Sequence, residues 1–167
     1  MPKIEKIKKR HLLKRKQQKA ELEKIESALG TEIRVDVGTQ LETGILDDDT
    51  RVLIYQNEIL FFERENRFFP TLHALLKDMI SIPRIAVDMG AIRYVVNGAD
   101  IMRPGITKID DDVRKNAAVA IVDETHGKPL AVGIATMDSE EMRSATSGKV
   151  VLSVHHVNDR LWDFTKG

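Results

Sequence analysis

The chain contains no cysteine, so neither a disulfide framework nor thiolate-ligated zinc can hold it together. No apolar run approaches the roughly 18 residues that signal a membrane span. The basic N-terminus lacks the apolar stretch of a secretory signal, and a cytoplasmic location is the expectation. The signatures of catalysis are missing too: there is no GxSxG elbow, no HExxH pair and no GxxxxGK(S/T) phosphate loop. His11, His73, His126, His155 and His156 show no metal-ligand spacing. Adjacent His155 and His156 must point to opposite faces of a strand, one packed and one exposed. Asp88 and Asp159 read as a helix cap and a turn residue, neither with an identifiable partner. A protein without catalytic activity, metal or cofactor is therefore expected.

What is present is ordinary for a globular chain of one domain or two small ones. It has 167 residues, of which 42% are hydrophobic and 31% charged. The net charge of zero hides an asymmetry: residues 1–30 hold ten Lys/Arg against four Asp/Glu. A basic end on a neutral protein points to an acidic partner.

One stretch organises the rest, Val87 to Ile106. Val87 closes an apolar run, Asp88 is placed to cap a helix, and Ala91, Ile92, Val95 and Val96 recur at helical spacing. Asn97-Gly98 supplies the left-handed stop, and Pro104-Gly105 a second turn. Bare backbone thus comes to the surface beside Arg93, Arg103 and Lys108, where a phosphate chain could lie.

Along the chain, Lys3 to Leu29 has no Gly or Pro and is rich in helix formers, which predicts a helix stopped by Gly30. Leu22, Ile25 and Leu29 give its second half an apolar stripe. The first half is left solvated and basic, with Lys8, Lys9, Arg10, Lys14, Arg15 and Lys16. That arm reads either as a contact to RNA or a ribosomal surface, or as a plain solvated helix. Segments 51–56 and 59–63 read as a hairpin around Asn57-Glu58, and Glu65-Asn66 as the next turn. The Asp47–Asp49 run reads as a solvated acidic turn. Alternation predicts that Phe61 and Phe62 face opposite ways, leaving one partly exposed as a partner surface. Thr71 to about Met79 reads as a helix, and Ser81-Ile82-Pro83 as a linker. Beyond it come strands over 117–123, 129–136 and 150–154. A capping box at Asp138/Glu141 opens a short helix that Gly148 ends, and Leu161-Trp162 closes a small sheet.

Several of these segments carry a family resemblance. VDMGAIRYVVNGADIMRPGI, LAVGIATMDSEEM, SGKVV and HHVNDRLW, between Arg84 and Phe164, resemble a PUA domain, an RNA-binding module. NEILFFERENRFFPTLHALL resembles the segment preceding that module in the malignant-T-cell-amplified-sequence family of translation proteins and its archaeal relatives. The resemblance implies an α+β chain: an N-terminal helix-plus-β-hairpin domain over 1–81, then a PUA-type pseudo-barrel over 83–165. It implies RNA contact at Ala91, Arg93, Gly98, Ala99, Arg103, Pro104 and Gly105, to which Lys108 is added by its place beside the turn. It further implies structured RNA (rRNA or tRNA) on the small ribosomal subunit during initiation, re-initiation or recycling. A density-regulated-protein-like partner would meet the N-terminal sheet. The alternative is a PUA specificity subunit acting in trans for an RNA-modifying enzyme, a transglycosylase or pseudouridine synthase. A binding scaffold whose groove takes no RNA is the third reading.

Overall fold

The computed structural model describes residues 3–36 and 40–165. The chain divides into two compact units, Met1–Ser81 with Asp163–Gly167, and Ile82–Trp162.

The first unit is a five-stranded antiparallel sheet whose strands follow one another in chain order, with two helices. The strands are β1 (Ile7–Leu12), β2 (Leu41–Leu46), β3 (Arg51–Tyr55), β4 (Glu58–Arg64) and β5 (Arg67–Pro70). Helix α1 (Arg15–Leu29) separates β1 from β2, and α2 (Leu72–Leu76) follows β5. Two tight turns set the register. Gln56-Asn57 and Glu65-Asn66 all have positive φ, the pair of left-handed residues that matches the twist of flanking strands. The first turn therefore sits one residue earlier than Asn57-Glu58.

The first half of the expected N-terminal helix is instead β1, paired with β2 from Ile7 opposite Leu46 to Leu12 opposite Glu42. Its lysines and arginine favour helix locally, but the edge of β2 offers unpaired backbone groups that a strand satisfies. Cross-strand charges add to this. Lys8 pairs with Asp49, and Arg10 donates to Glu42 through Nε at 3.0 Å and Nη2 at 2.8 Å. The Arg10 hydrogen bond lowers the Glu42 carboxyl against the opposing effect of burial. Helix α1 begins only where the Lys14 N–H donates to Gln17 Oε1 at 3.0 Å, and it ends at left-handed Gly30.

Phe61 and Phe62 are both buried, because both faces of β4 are covered; neither is a partner surface. Helix α2 is shorter than expected. The buried Thr71 hydroxyl accepts from Ala74 N–H at 3.2 Å and donates to the Ile59 carbonyl at 2.9 Å. The helix gives way at Lys77, and Asp78 is left-handed.

The second unit is a six-stranded sheet in the order β7-β11-β10-β9-β6-β8. Its strands are β6 (Arg84–Val87), β7 (Ile101–Met102), β8 (Ile106–Ile109), β9 (Ala118–Asp123), β10 (Pro129–Ala135) and β11 (Lys149–His156). Only β6 and β9 pair in parallel; the other pairs are antiparallel. Helices α3 (Met89–Val95), α4 (Ser139–Ser144) and α5 (Arg160–Thr165) complete the chain. Ile85, Val87, Val95, Ile101, Val119, Ile121, Val150 and Val151 form one buried cluster. At Gly133 a Cβ would stand 2.6 Å from the Leu152 carbonyl oxygen, so only glycine lets β10 and β11 approach at their bulge.

Leu161 and Trp162 lie in α5 rather than in a closing strand. Left-handed Asn158 reverses the chain, and Asp159 Oδ1 then accepts the Trp162 N–H at 2.7 Å. Asp138 precedes α4 without capping it, since its carboxylate accepts the distant Lys115 N–H at 2.7 Å. Among the described residues, no helix is long and apolar enough to cross a membrane.

Candidate functional site

Helix α3 forms because Asp88 Oδ1 accepts the Ala91 N–H at 2.9 Å, satisfying one of the donors left open at a helix start. It ends at Val95, and the turn that follows reverses at Gly98, whose φ of +87° suits glycine. A Cβ there would also lie 2.7 Å from His156 Nε2. The Ala99 N–H returns to the Tyr94 carbonyl at 3.0 Å, and β7 leads into a 3-10 turn over Arg103–Gly105. That turn is anchored from both sides: Asp88 N–H donates to the Gly105 carbonyl at 3.0 Å and Arg103 N–H to the Gly148 carbonyl at 2.9 Å. A Cβ on Gly105 would come 3.1 Å from the Ala91 methyl, so glycine lets the turn close against the helix.

Between helix and turn lies an open groove of about 520 Å³ lined by Gly90, Ala91, Tyr94, Ala99, Met102, Pro104 and Gly105. Among the described residues, its charged lining side chains are Asp88 and Asp100. Both carboxylates are already engaged. Asp88 caps the helix, and Asp100 accepts the Ser153 N–H at 2.7 Å and meets Lys149 Nζ at 3.0 Å. The groove is an apolar slot framed by backbone.

The structure brings Ala91, Ala99, Pro104 and Gly105 together in this slot. Gly98 lies behind it against His156. Arg93 does not line the slot; it is exposed beside the lining residue Tyr94, its guanidinium 4.8 Å from the Tyr94 ring centre and its Nη2 donating to the Tyr94 hydroxyl at 2.8 Å. Arg103 turns elsewhere: Nε donates to the Met142 carbonyl at 2.7 Å and Nη1 to that of Ile106 at 3.2 Å. Lys108 is exposed on β8, opposite Ala86. Lys8, Lys9 and Arg10 lie on edge strand β1, with Lys14, Arg15 and Lys16 at the start of α1, all exposed.

Sequence reasoning overlooked the large side chains of the site. Tyr94 is 54% exposed, Met102 49% and neighbouring Met89 61%, unusual for such residues on a folded surface. The signal was there: a face running through Ala91, Ile92 and Val95 leaves Tyr94 pointing outward.

Asp159 also has a partner after all. His155, 1% exposed, places Nδ1 2.7 Å from Asp159 Oδ2, which puts the proton on Nδ1 because an ionised carboxylate only accepts. Burial pushes the Asp159 carboxyl up. The His155 contact and the N–H groups of Trp162 and His156 outweigh it and hold the carboxyl below the ordinary range. The pair ties the end of β11 to α5 and lines no part of the groove.

Comparison with known proteins agrees with this architecture. A PUA domain family matches residues 83–157, and a family described only as a domain of unknown function matches 9–78. An uncharacterized protein of Methanocaldococcus jannaschii is 39% identical over 119 residues, 71% of this chain and 74% of its own. Translation machinery-associated protein 20 of Saccharomyces cerevisiae is 32% identical over 133 residues, 76% of this chain and 74% of its own. Malignant T-cell-amplified sequence 1-B of Xenopus laevis is 37% identical over 115 residues, 66% and 64% of the two chains. Among solved structures, a hypothetical protein of Pyrococcus horikoshii superposes with a TM-score of 0.80 at 29% identity, covering 94% of this chain and 99% of its own. A conserved PUA domain protein of Thermoplasma acidophilum gives 0.78 at 26% identity, with the same coverage.

Proposed function

Because this chain belongs to the family of PUA-domain proteins that includes the translation machinery-associated and malignant-T-cell-amplified-sequence proteins, we propose that it binds structured RNA in translation and performs no chemistry of its own. The observation that carries the reading is the groove of α3 and the Arg103–Gly105 turn. An apolar slot with an exposed tyrosine suits an unpaired base stacked on a ring, the way single-stranded RNA is recognised by sequence-reading proteins. Arg93 beside Tyr94 supplies a planar donor for the adjoining phosphate. The carboxylates of Asp88 and Asp100 keep a phosphate out of the slot itself.

The RNA is rRNA or tRNA on the small ribosomal subunit during initiation, re-initiation or recycling in the cytoplasm, with a density-regulated-protein-like chain as partner. Ala91, Ala99, Pro104, Gly105, Tyr94 and Met102 form the contact, and Gly98 shapes it. Lys108 and the basic segment of Lys9, Lys14, Arg15 and Lys16 add charge at a distance. Lys8 and Arg10 contribute less, since each already faces a carboxylate. Arg103 holds the turn by its bonds to Met142 and Ile106.

The test is binding to purified small subunits and to bulk tRNA across a salt series, with Arg93→Ala/Tyr94→Ala alongside the native chain. Saturable, salt-sensitive subunit binding that the double variant weakens supports the proposal. Binding to tRNA but not to subunits favours the specificity-subunit reading. Absence of binding to either RNA at low salt overturns it.

A further inference from the structure

The two carboxylates of the groove are used to different extents. Asp100 has both oxygens taken: Oδ1 accepts the Ser153 N–H at 2.7 Å and Oδ2 meets Lys149 Nζ at 3.0 Å. Asp88 uses only Oδ1, on the Ala91 N–H at 2.9 Å. Its Oδ2 accepts no hydrogen bond from the described residues, and none of their cations pairs with it. The cap alone does not call for this second oxygen, because asparagine and serine cap a helix about as well as aspartate. The carboxylate is also uncovered. Gly90 beside it has no side chain, and a Cβ there would lie 3.4 Å from Oδ1. Asp88, Ala91 and Tyr94 follow at three-residue steps, which makes them neighbours along one side of α3. Small Ala91 leaves the slot open between the half-exposed Tyr94 ring and the carboxylate.

A base stacked on Tyr94 turns its edge along the slot, and the edge is where bases differ. Cytosine presents its N4 amine, a donor, where uracil presents the O4 acceptor. A carboxylate oxygen only accepts, so it bonds the amine and repels the carbonyl. The one ring N–H of uracil lies between two carbonyl oxygens and is a poor substitute. We propose that Asp88 sets a base preference in the groove: its open carboxylate oxygen accepts from the exocyclic amine of an unpaired base and turns uracil away. The inference rests on the RNA reading of the groove, and the two are separable by experiment.

The full chain is titrated at neutral pH and fixed salt with short fluorescent oligomers of cytidine and of uridine. Both carry the same phosphates, so counterion release cancels in the ratio of affinities. Their rings are of equal size, so stacking nearly cancels as well. The native chain is expected to bind the cytidine oligomer on the order of tenfold more tightly, as befits one hydrogen bond to a charged group. Asp88→Asn keeps the cap and adds an amide N–H that can donate to O4. Its preference should fall to about twofold or less, chiefly by tighter binding of uridine. Asp88→Ser keeps the cap without the second oxygen, should lose the preference too, and keeps the test decisive if the asparagine variant unfolds. Equal native affinities, a preference for uridine, or a preference unchanged in the folded Asp88 variants overturns the proposal. If Arg93→Ala/Tyr94→Ala then still weakens both oligomers alike, the groove reading stands without it. Binding to tRNA or subunits but to neither oligomer overturns the preference alone, and a native chain that binds no RNA overturns both.

Discussion

The two sheets are built on different principles. In the N-terminal one the strands pair in chain order, and two-residue turns set the register of β3 to β5. In the PUA sheet the order β7-β11-β10-β9-β6-β8 brings distant segments together, including a parallel pair that no hairpin can make. The candidate groove belongs to the second kind. Its walls are held by bonds from Asp100 to Ser153, Arg103 to Met142 and Arg103 N–H to Gly148. The N-terminal sheet draws its stability from side chains packed within neighbouring strands. The groove draws its shape from polar ties across long loops, which need a finished fold before they can form.

The sharpest test of that contrast is Phe62→Ala. The ring is fully buried against Phe69, so its loss leaves a cavity worth about 3–5 kcal/mol in denaturant unfolding. Loss of amide protection should centre on β3 to β5. A cost below that of any polar variant in the PUA sheet would break the comparison.

Next comes Asp159→Ala, which strips acceptors from His155, His156 and Trp162 and should cost about 2–3 kcal/mol. Since the carboxyl is held below its ordinary value, its stabilisation is complete above about pH 4 and is lost as pH falls through the lowered folded value. The native chain should therefore lose stability more steeply on acidification below about pH 4 than Asp159→Asn. Equal slopes would show that this carboxylate does not tie β11 to α5.

Smaller effects separate the two arginines that flank the same turn. Arg103→Ala frees two backbone carbonyls and should lower stability by about 1–2 kcal/mol. Arg93→Ala removes an exposed side chain and should change stability by less than about 0.5 kcal/mol while weakening RNA binding. Thermal unfolding of both, read beside binding, checks the division. A reversed pattern would reassign the arginines.

Legibility followed the range of the interactions involved. The Asp88 cap, the left-handed Gly98 and the Glu65-Asn66 turn depend on atoms a few residues apart, and the sequence carries them in its spacing. Ala91, Ala99, Pro104 and Gly105 meet in one slot because the helix and turn that hold them are local as well. Other readings failed where a distant partner intervened. Asp138 was a capping residue by its neighbours, yet Lys115 takes its carboxylate. The place of Arg103 beside glycines likewise gave no sign that its guanidinium reaches across to the Met142 carbonyl in α4. Phe61 and Phe62 looked two-faced because alternation assumes one wet side, and β4 has none.

By itself, then, the sequence determined the Asp88 cap, the Glu65-Asn66 turn, the left-handed Gly98 and the PUA-type order of elements, all carried by short windows of backbone and side chain. Tertiary structure alone decided that residues 7–12 run as a strand, that Leu161 and Trp162 coil into α5, and that Arg103 bonds to α4 while Arg93 lies against Tyr94. The reason is energetic. Helix propensities differ by only about 0.7 kcal/mol per residue among ordinary side chains, while each strand or cap gains bonds of about 1 kcal/mol from partners the local sequence does not contain.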